Sequence, residues 1–129
     1  MKQSQALVID DNAKNVDVLT RLLTEQGINS IQVTNPTNLD MALNQVEDLR
    51  VVFLDLEMPG IDGYQVLHQL KSDPAFNDVP MVAYTVHVSE IKEAHAQGFD
   101  GFLGKPLDSD KFPDQLNRIL NGQPVWETP

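Results

Sequence analysis

The sequence predicts a single α/β domain in which a parallel sheet is covered by helices on both faces. Three observations carry this. Apolar runs of strand length alternate with stretches of helical periodicity five times along the chain. Runs such as Ala6–Ile9 and Leu49–Leu54 are largely apolar rather than alternating, as in strands buried on both faces. The 129 residues suit one domain of ordinary size, and the 41% apolar content supports a core and is too high for a disordered chain.

Taken in order, Ala6–Ile9 is the first buried strand. Val16, Leu19 and Leu23 recur at helical spacing, and Gly27 stops that helix. Ile28–Val33 alternates apolar and polar residues, which suits an edge strand with one wet face. Asn35-Pro36 supplies a cap followed by proline at the first helical position, and Leu39, Leu43 and Val46 form the stripe of the second helix. The third strand, Leu49–Leu54, ends at Asp55, and residues 57–63 have the Gly, Pro and Asp of a loop. Tyr64, Leu67 and Leu70 share one face of a third helix, broken near Asp73-Pro74. Pro80–Tyr84 is a fourth strand ending at Thr85, and Ser89 is placed to cap a fourth helix running to Gly98. Gly101–Gly104 is a short fifth strand followed by Lys105-Pro106. Phe112, Leu116, Ile119 and Leu120 mark the last helix, with Pro113 in its first turn, where a missing N–H costs little. The expected organisation is a domain over residues 1–122 and a loose tail over 123–129.

Composition narrows the function classes. With 9 Lys and Arg against 19 Asp and Glu, and a net charge of −10, the chain has no basis for the basic patch that nucleic acid requires. Its longest unbroken apolar runs fall far short of the ~20 residues that span a bilayer, so no membrane insertion is expected. The first five residues lack the apolar stretch of a secretory signal, and the absence of cysteine excludes a disulfide framework or thiolate metal site. A cytoplasmic location is the expectation that fits these features.

The polar residues just past the strands are more informative. Strand one ends in Asp10-Asp11, strand three in Asp55, strand four in Thr85 and strand five in Lys105-Pro106, whereas Thr34-Asn35 after strand two is ordinary cap chemistry. Singly, each has a plain reading: an acidic pair begins a helix, an Asp makes a turn, a Thr caps, a Lys is solvated. In a doubly wound sheet, however, all of them fall at the carboxyl edge, where such folds bind ligands.

Two like charges ~5 Å apart repel by ~3 kcal/mol at an effective dielectric near 20, so three clustered carboxylates cost up to ~10 kcal/mol, comparable to a domain's stability. Such a cluster must bind a cation or hold a proton. Its ligands are all oxygen, which favours Mg²⁺. A Mg²⁺ beside a carboxylate, a Lys and a hydroxyl is a phosphoryl-transfer constellation, with Asp55 as the nucleophile that forms an acyl phosphate.

With Val8-Ile9-Asp10-Asp11-Asn12, Leu54 through Gly63, Ala83-Tyr84-Thr85 and Gly104-Lys105-Pro106 in this order and spacing, the chain resembles the receiver domain of two-component response regulators from about Gln5 to Leu120. The resemblance implies a flavodoxin-like doubly wound sheet of five strands in the order 2-1-3-4-5 with five helices. It also implies that Asp55 takes a phosphoryl group from a phosphohistidine on a sensor kinase or histidine phosphotransfer protein. Asp11, Asp55 and the backbone carbonyl of Glu57 would hold Mg²⁺, with Asp10 helping directly or through water. Lys105 would pair with the phosphoryl group, and its bond to Pro106 would be cis. Thr85 would move toward the phosphoryl oxygen and Phe102 swing inward behind it. The face formed by the fourth helix, the fifth strand and the last helix would meet a downstream protein.

Four local features depart from or refine that pattern. Val86 stands where receivers commonly carry Ala or Gly, and is expected to slow labelling by small donors. Glu57 and His87, each two residues past a key position, flank the expected line of water attack. Phe102, without a hydroxyl, is expected to favour burial. Trp126 either packs on the last helix or serves as a docking contact.

Three rival readings make distinct demands. A haloacid-dehalogenase-type phosphatase expects its nucleophile after strand one in an Asp-x-Asp pattern, but here the pair is adjacent. A flavin carrier expects a Ser/Thr/Gly-rich phosphate loop where Asp10-Asp11 stands. A pseudo-receiver has no motive, since all five pocket residues are present. The expectation is a phosphoacceptor signalling protein rather than an enzyme, and a stand-alone regulator, since no output domain follows the last helix.

Overall fold

The computed structural model describes residues 4–127. Its main sheet is formed by β1 (Gln5–Ile9), β2 (Asn29–Val33), β3 (Leu49–Leu54), β4 (Met81–Thr85), β5 (Gly101–Gly104) and β6 (Val125–Glu127). All pairings are parallel and the order is β2-β1-β3-β4-β5-β6. The helices are α1 (Ala13–Glu25), α2 (Leu39–Leu43), α3 (Gly63–Lys71), α4 (Ile91–Gln97) and α5 (Phe112–Leu120). The five expected strands thus take the expected order, and a sixth extends them.

Side chains alternate between two cores, as the period of a strand requires. Leu7, Ile9, Val52, Leu54, Met81, Ala83 and Phe102 face the layer that includes α3 and α4. Ala6, Val8, Val51, Phe53, Val82, Tyr84 and Leu103 face α1 and α5, where Leu19, Leu23, Phe112 and Leu116 meet them. The central strands are buried on both sides, which is why their sequence does not alternate.

Helix starts are fixed locally. Asn12 Oδ1 accepts from the amides of Lys14 and Asn15 at 3.0 and 3.2 Å, capping α1. Asp62 Oδ1 accepts from the Tyr64 amide at 2.9 Å, capping α3. Gly63 begins α3 directly against β3: a Cβ there would lie 3.1 Å from the Asp55 carbonyl and 3.2 Å from Leu56 Cα. Glycine therefore lets α3 pass over the loop that carries Asp55.

Several expectations need correction. The second helix is an α-helix only over Leu39–Leu43, preceded by a 3₁₀ turn, and Val46 lies beyond it. Ser89 makes no helix cap; it sits inside a 3₁₀ turn, Val88–Glu90, and α4 begins at Ile91. Most consequentially, the segment expected to be loose forms β6: Val125 is buried, and Gly101 admits its carbonyl, 3.0 Å from where a Cβ would be. Trp126 packs not on the last helix but against His95 of α4, with ring centroids 4.7 Å apart. Glu127 accepts from Gln115 and Arg118 of α5 at 2.9 and 2.6 Å, tying the strand down. Thr128 and Pro129 of the expected tail, and residues 1–3 of the expected domain, lie outside the described residues.

Candidate metal and phosphoryl site

The sheet register gathers the site. Ile9 of β1 pairs with Leu54 of β3, so Asp10 and Asp55 leave the sheet side by side. Leu54 pairs with Ala83, and Thr85 of β4 pairs with Gly104 of β5, which brings Thr85 and Lys105 to the same edge. Backbone bonds lock these exits: the Asp55 amide donates to Ile9 at 2.9 Å, and the Lys105 amide to Thr85 at 2.9 Å. The order reverses about β1 and β3, and the cluster lies where a doubly wound sheet binds ligands.

Asp10, Asp11 and Asp55 each present a carboxylate oxygen within 4.8 Å of the others. Asp10 and Asp55 are buried at 0% and 4% exposure, whereas Asp11 is exposed. Lys105 Nζ stands 3.0 Å from Asp10 Oδ2 and 3.6 Å from Asp55 Oδ2. One ammonium thus serves two buried carboxylates and leaves the cluster net negative.

That imbalance falls on Asp55. Burial pushes its carboxyl up, Lys105 pulls it back only in part, and the charge of Asp10 pushes it up again, to about 7. Asp10 goes the other way. Burial opposes its ionisation, but hydrogen bonds from the Asn12 amide, Tyr84 and Lys105 outweigh it and hold the carboxyl below its ordinary value. A pair of carboxylates driven apart in this way calls for a cation. The all-oxygen donor set, one member open to solvent, fits Mg²⁺. Asp11 and Asp55, with Asp10 beside them, are the groups that could hold it.

Thr85 is fully buried, and its Oγ1 accepts from the His87 amide at 3.2 Å. The Lys105-Pro106 peptide is cis. Phe102 is buried, on the sheet face opposite Tyr84 and Leu103. Around the mouth, the Glu57 carboxylate meets the His87 imidazole. Asp11, Asn15, Asp55, Val86 and Lys105 are among the residues lining a cleft of about 200 Å³.

One site residue was not foreseen. Tyr84 entered as a strand residue and as part of the Ala83-Tyr84-Thr85 motif, with no role of its own, yet its hydroxyl donates to Asp10 Oδ2 at 2.7 Å and its ring lies 4.2 Å below the Lys105 ammonium. The available signal was chemical: a hydroxyl in a buried strand must find a partner, and only the strand-end polar groups were at hand.

The chain matches the response regulator receiver domain family over residues 6–117. It belongs to that family. Protein PilH of Pseudomonas aeruginosa is 28% identical to this receiver domain over 121 residues, covering 92% of the chain and 99% of PilH. The C4-dicarboxylate transport transcriptional regulatory protein DctD of the same organism is 36% identical, covering 92% of the chain but 25% of DctD. The receiver domain therefore spans nearly all of one relative and a quarter of another. Among solved structures, the chemotaxis response regulator CheY4 of Vibrio cholerae superposes with a TM-score of 0.79 at 19% identity, covering 92% of this chain and 99% of CheY4. Receiver domains of two-component response regulators are phosphoacceptor signalling domains that work with histidine kinases or phosphotransfer proteins and bind Mg²⁺ at an acidic pocket. Among the described residues no helix is long and apolar enough to cross a membrane.

Proposed function

We propose that Asp55 accepts the phosphoryl group from a phosphohistidine of a partner kinase or phosphotransfer protein, and that the acyl phosphate changes the surface formed by α4, β5 and α5. The observation that carries this reading is the juxtaposition of a buried, cation-demanding Asp55 with Asp10, Asp11 and the shared Lys105 at one cleft. An Asp55 carboxylate oxygen attacks phosphorus, the P–N bond breaks, and the imidazole nitrogen leaves with the electron pair. Mg²⁺, when bound, neutralises charge on the phosphoryl oxygens and offsets the repulsion among the carboxylates. Asp11, Asp55 and the Glu57 carbonyl would hold it, with Asp10 in support.

Lys105, already within 3.6 Å of Asp55, pairs with the new phosphoryl oxygen. The Thr85 hydroxyl donates a hydrogen bond to another. A hydrogen bond to a charged group contributes ~1.5–3 kcal/mol, enough for a roughly 10- to 150-fold shift between two arrangements. Phe102, already buried in the core layer beside α4, and α4 itself adjust to this. Of α4's side chains only Ala94 is buried, with Ile91 partly so, which suits an element that shifts at small cost. The working compartment on this reading is the cytoplasm, where histidine kinases present their phosphohistidine.

Phosphotransfer tests this. A histidine kinase or phosphotransfer protein carrying labelled phosphate should pass it to the chain in Mg²⁺, with chelation or Asp55→Asn stopping transfer. Equal labelling of the Asp55→Asn chain would overturn the reading.

A further inference from the structure

Asp10 carries more hydrogen bonds than a metal ligand needs. Its Oδ1 accepts from the Asn12 amide at 2.9 Å, and its Oδ2 accepts both the Tyr84 hydroxyl at 2.7 Å and Lys105 Nζ at 3.0 Å. A carboxylate has about four lone-pair positions, and three of these are taken. Asp55 is less committed: its Oδ1 accepts the Glu57 amide at 3.0 Å, and Lys105 stands farther off, at 3.6 Å.

Tyr84 accounts for the difference. Burial alone would be met by any large apolar side chain at this position of β4, where Met81, Val82 and Ala83 are all buried. The ring packs edge-on against Phe53, with centroids 6.2 Å apart, and is 1% exposed. The hydroxyl is the addition, and it is aimed at the acidic cluster. Burial, reinforced by the charge of Asp10, keeps its proton on the oxygen, so it acts only as a donor toward that carboxylate.

We propose that Tyr84 is a positioning residue of the phosphoryl site: its hydroxyl occupies Asp10 Oδ2 and its ring seats the Lys105 ammonium, so that Tyr84 sets how strongly the cluster takes a divalent cation. This rests on the reading that the cluster binds Mg²⁺ and Asp55 accepts phosphate. With Oδ2 shielded, Asp10 acts chiefly as the anchor that holds Lys105 beside Asp55, and metal ligation falls to Asp11 and Asp55. Without the hydroxyl, Oδ2 regains a lone pair and Asp10's charge is less neutralised. The cluster then attracts a cation more strongly, while Lys105 is drawn toward Asp10.

Tyr84→Phe keeps the ring and removes the donor. Calorimetric titration with MgCl₂ should show a dissociation constant about threefold or more below that of the unsubstituted chain. In an Asp10→Asn background the same substitution should change Mg²⁺ affinity by less than about 1.5-fold, because its effect runs through that carboxylate. Labelling of Asp55 at saturating Mg²⁺ should be slower in Tyr84→Phe, so that tighter metal and slower transfer separate. Unchanged Mg²⁺ affinity in Tyr84→Phe, or an equal effect with and without Asp10, overturns the proposal. A variant that fails to fold leaves a second measurement on the unsubstituted chain. With fluorinated tyrosine, the Tyr84 resonance should move with Mg²⁺ at the calorimetric midpoint while Tyr64 stays still, and a motionless Tyr84 overturns the proposal as well. Failure of the phosphoacceptor reading looks different, since the unsubstituted chain would then take no label from a phosphohistidine donor.

Discussion

Phe102 and Trp126 are partners across the parallel ladder of β5 and β6, and both belong to the core layer that includes α4. Phe102 is wholly buried, and Trp126 covers the sheet edge beside it while its ring meets His95. The face between α4 and β5 is therefore bounded by a residue from the C-terminal segment. Trp126→Ala removes a half-buried indole. It should lower unfolding free energy by about 2 kcal/mol, below the ~3–5 kcal/mol typical of a fully buried large aromatic. Urea denaturation with an unchanged slope checks this, and an unaltered midpoint would mean that β6 adds nothing to the core.

The charge state of Asp55 predicts a pH effect of defined sign. Its carboxyl is raised from 3.8 to about 7 by burial and by Asp10, against the pull of Lys105. The folded chain thus keeps a proton that the unfolded chain has lost between these values. The stability from this group is full below pH 4 and is lost as pH rises through 7. Measured in chelator, the unsubstituted chain should lose on the order of 2 kcal/mol more than Asp55→Asn between pH 5 and pH 8. Mg²⁺ should restore most of that loss at pH 8. Parallel pH curves for the two chains would contradict the assignment.

The residues around the cleft mouth make separate predictions about rate. Val86 is 57% exposed and lines the cleft with Asp55 and Lys105. Its branched side chain stands over the approach of a small donor, whereas a protein donor presents phosphate on an extended imidazole. Val86→Ala should accelerate labelling by acetyl phosphate several-fold and leave transfer from a phosphohistidine protein within about twofold. Stopped-flow quenching measures both, and equal acceleration by the two donors would remove the steric explanation.

Glu57 pairs with His87 across the same mouth. The contact joins the loop after β3 to the loop after β4, and the Glu57 carboxylate places a negative group where water must approach the acyl phosphate. Glu57→Ala should change the acyl-phosphate lifetime without altering the Mg²⁺ midpoint, because its side chain is turned to His87 and is not one of the three clustered carboxylates. A decay time course indistinguishable from the unsubstituted chain would count against it.

Much of this architecture was legible beforehand because buried parallel strands announce themselves. Leu49–Leu54 and Gly101–Gly104 appear where the sequence put them, and the groups past the strands meet because register brings them together. What was not legible depends on distant contacts. Val125-Trp126-Glu127 is too short for its pattern to declare a strand, and it is held by Gln115, Arg118 and the missing Cβ of Gly101. Ser89 looked like a cap because it has the right side chain, but the chain first makes a 3₁₀ turn. Tyr84 suited a strand by propensity alone, and the partner of its hydroxyl lies 74 positions away.

The assignment of the acceptor can be read at a single position. After transfer from a phosphohistidine protein in Mg²⁺, borohydride reduction converts an aspartyl phosphate to the alcohol, and tandem mass spectrometry locates it. The alcohol should appear at position 55 alone and be absent when chelator replaces Mg²⁺. Its appearance at position 10 or 11, or a label that borohydride leaves untouched, would contradict the assignment of Asp55 as the residue that takes the phosphoryl group.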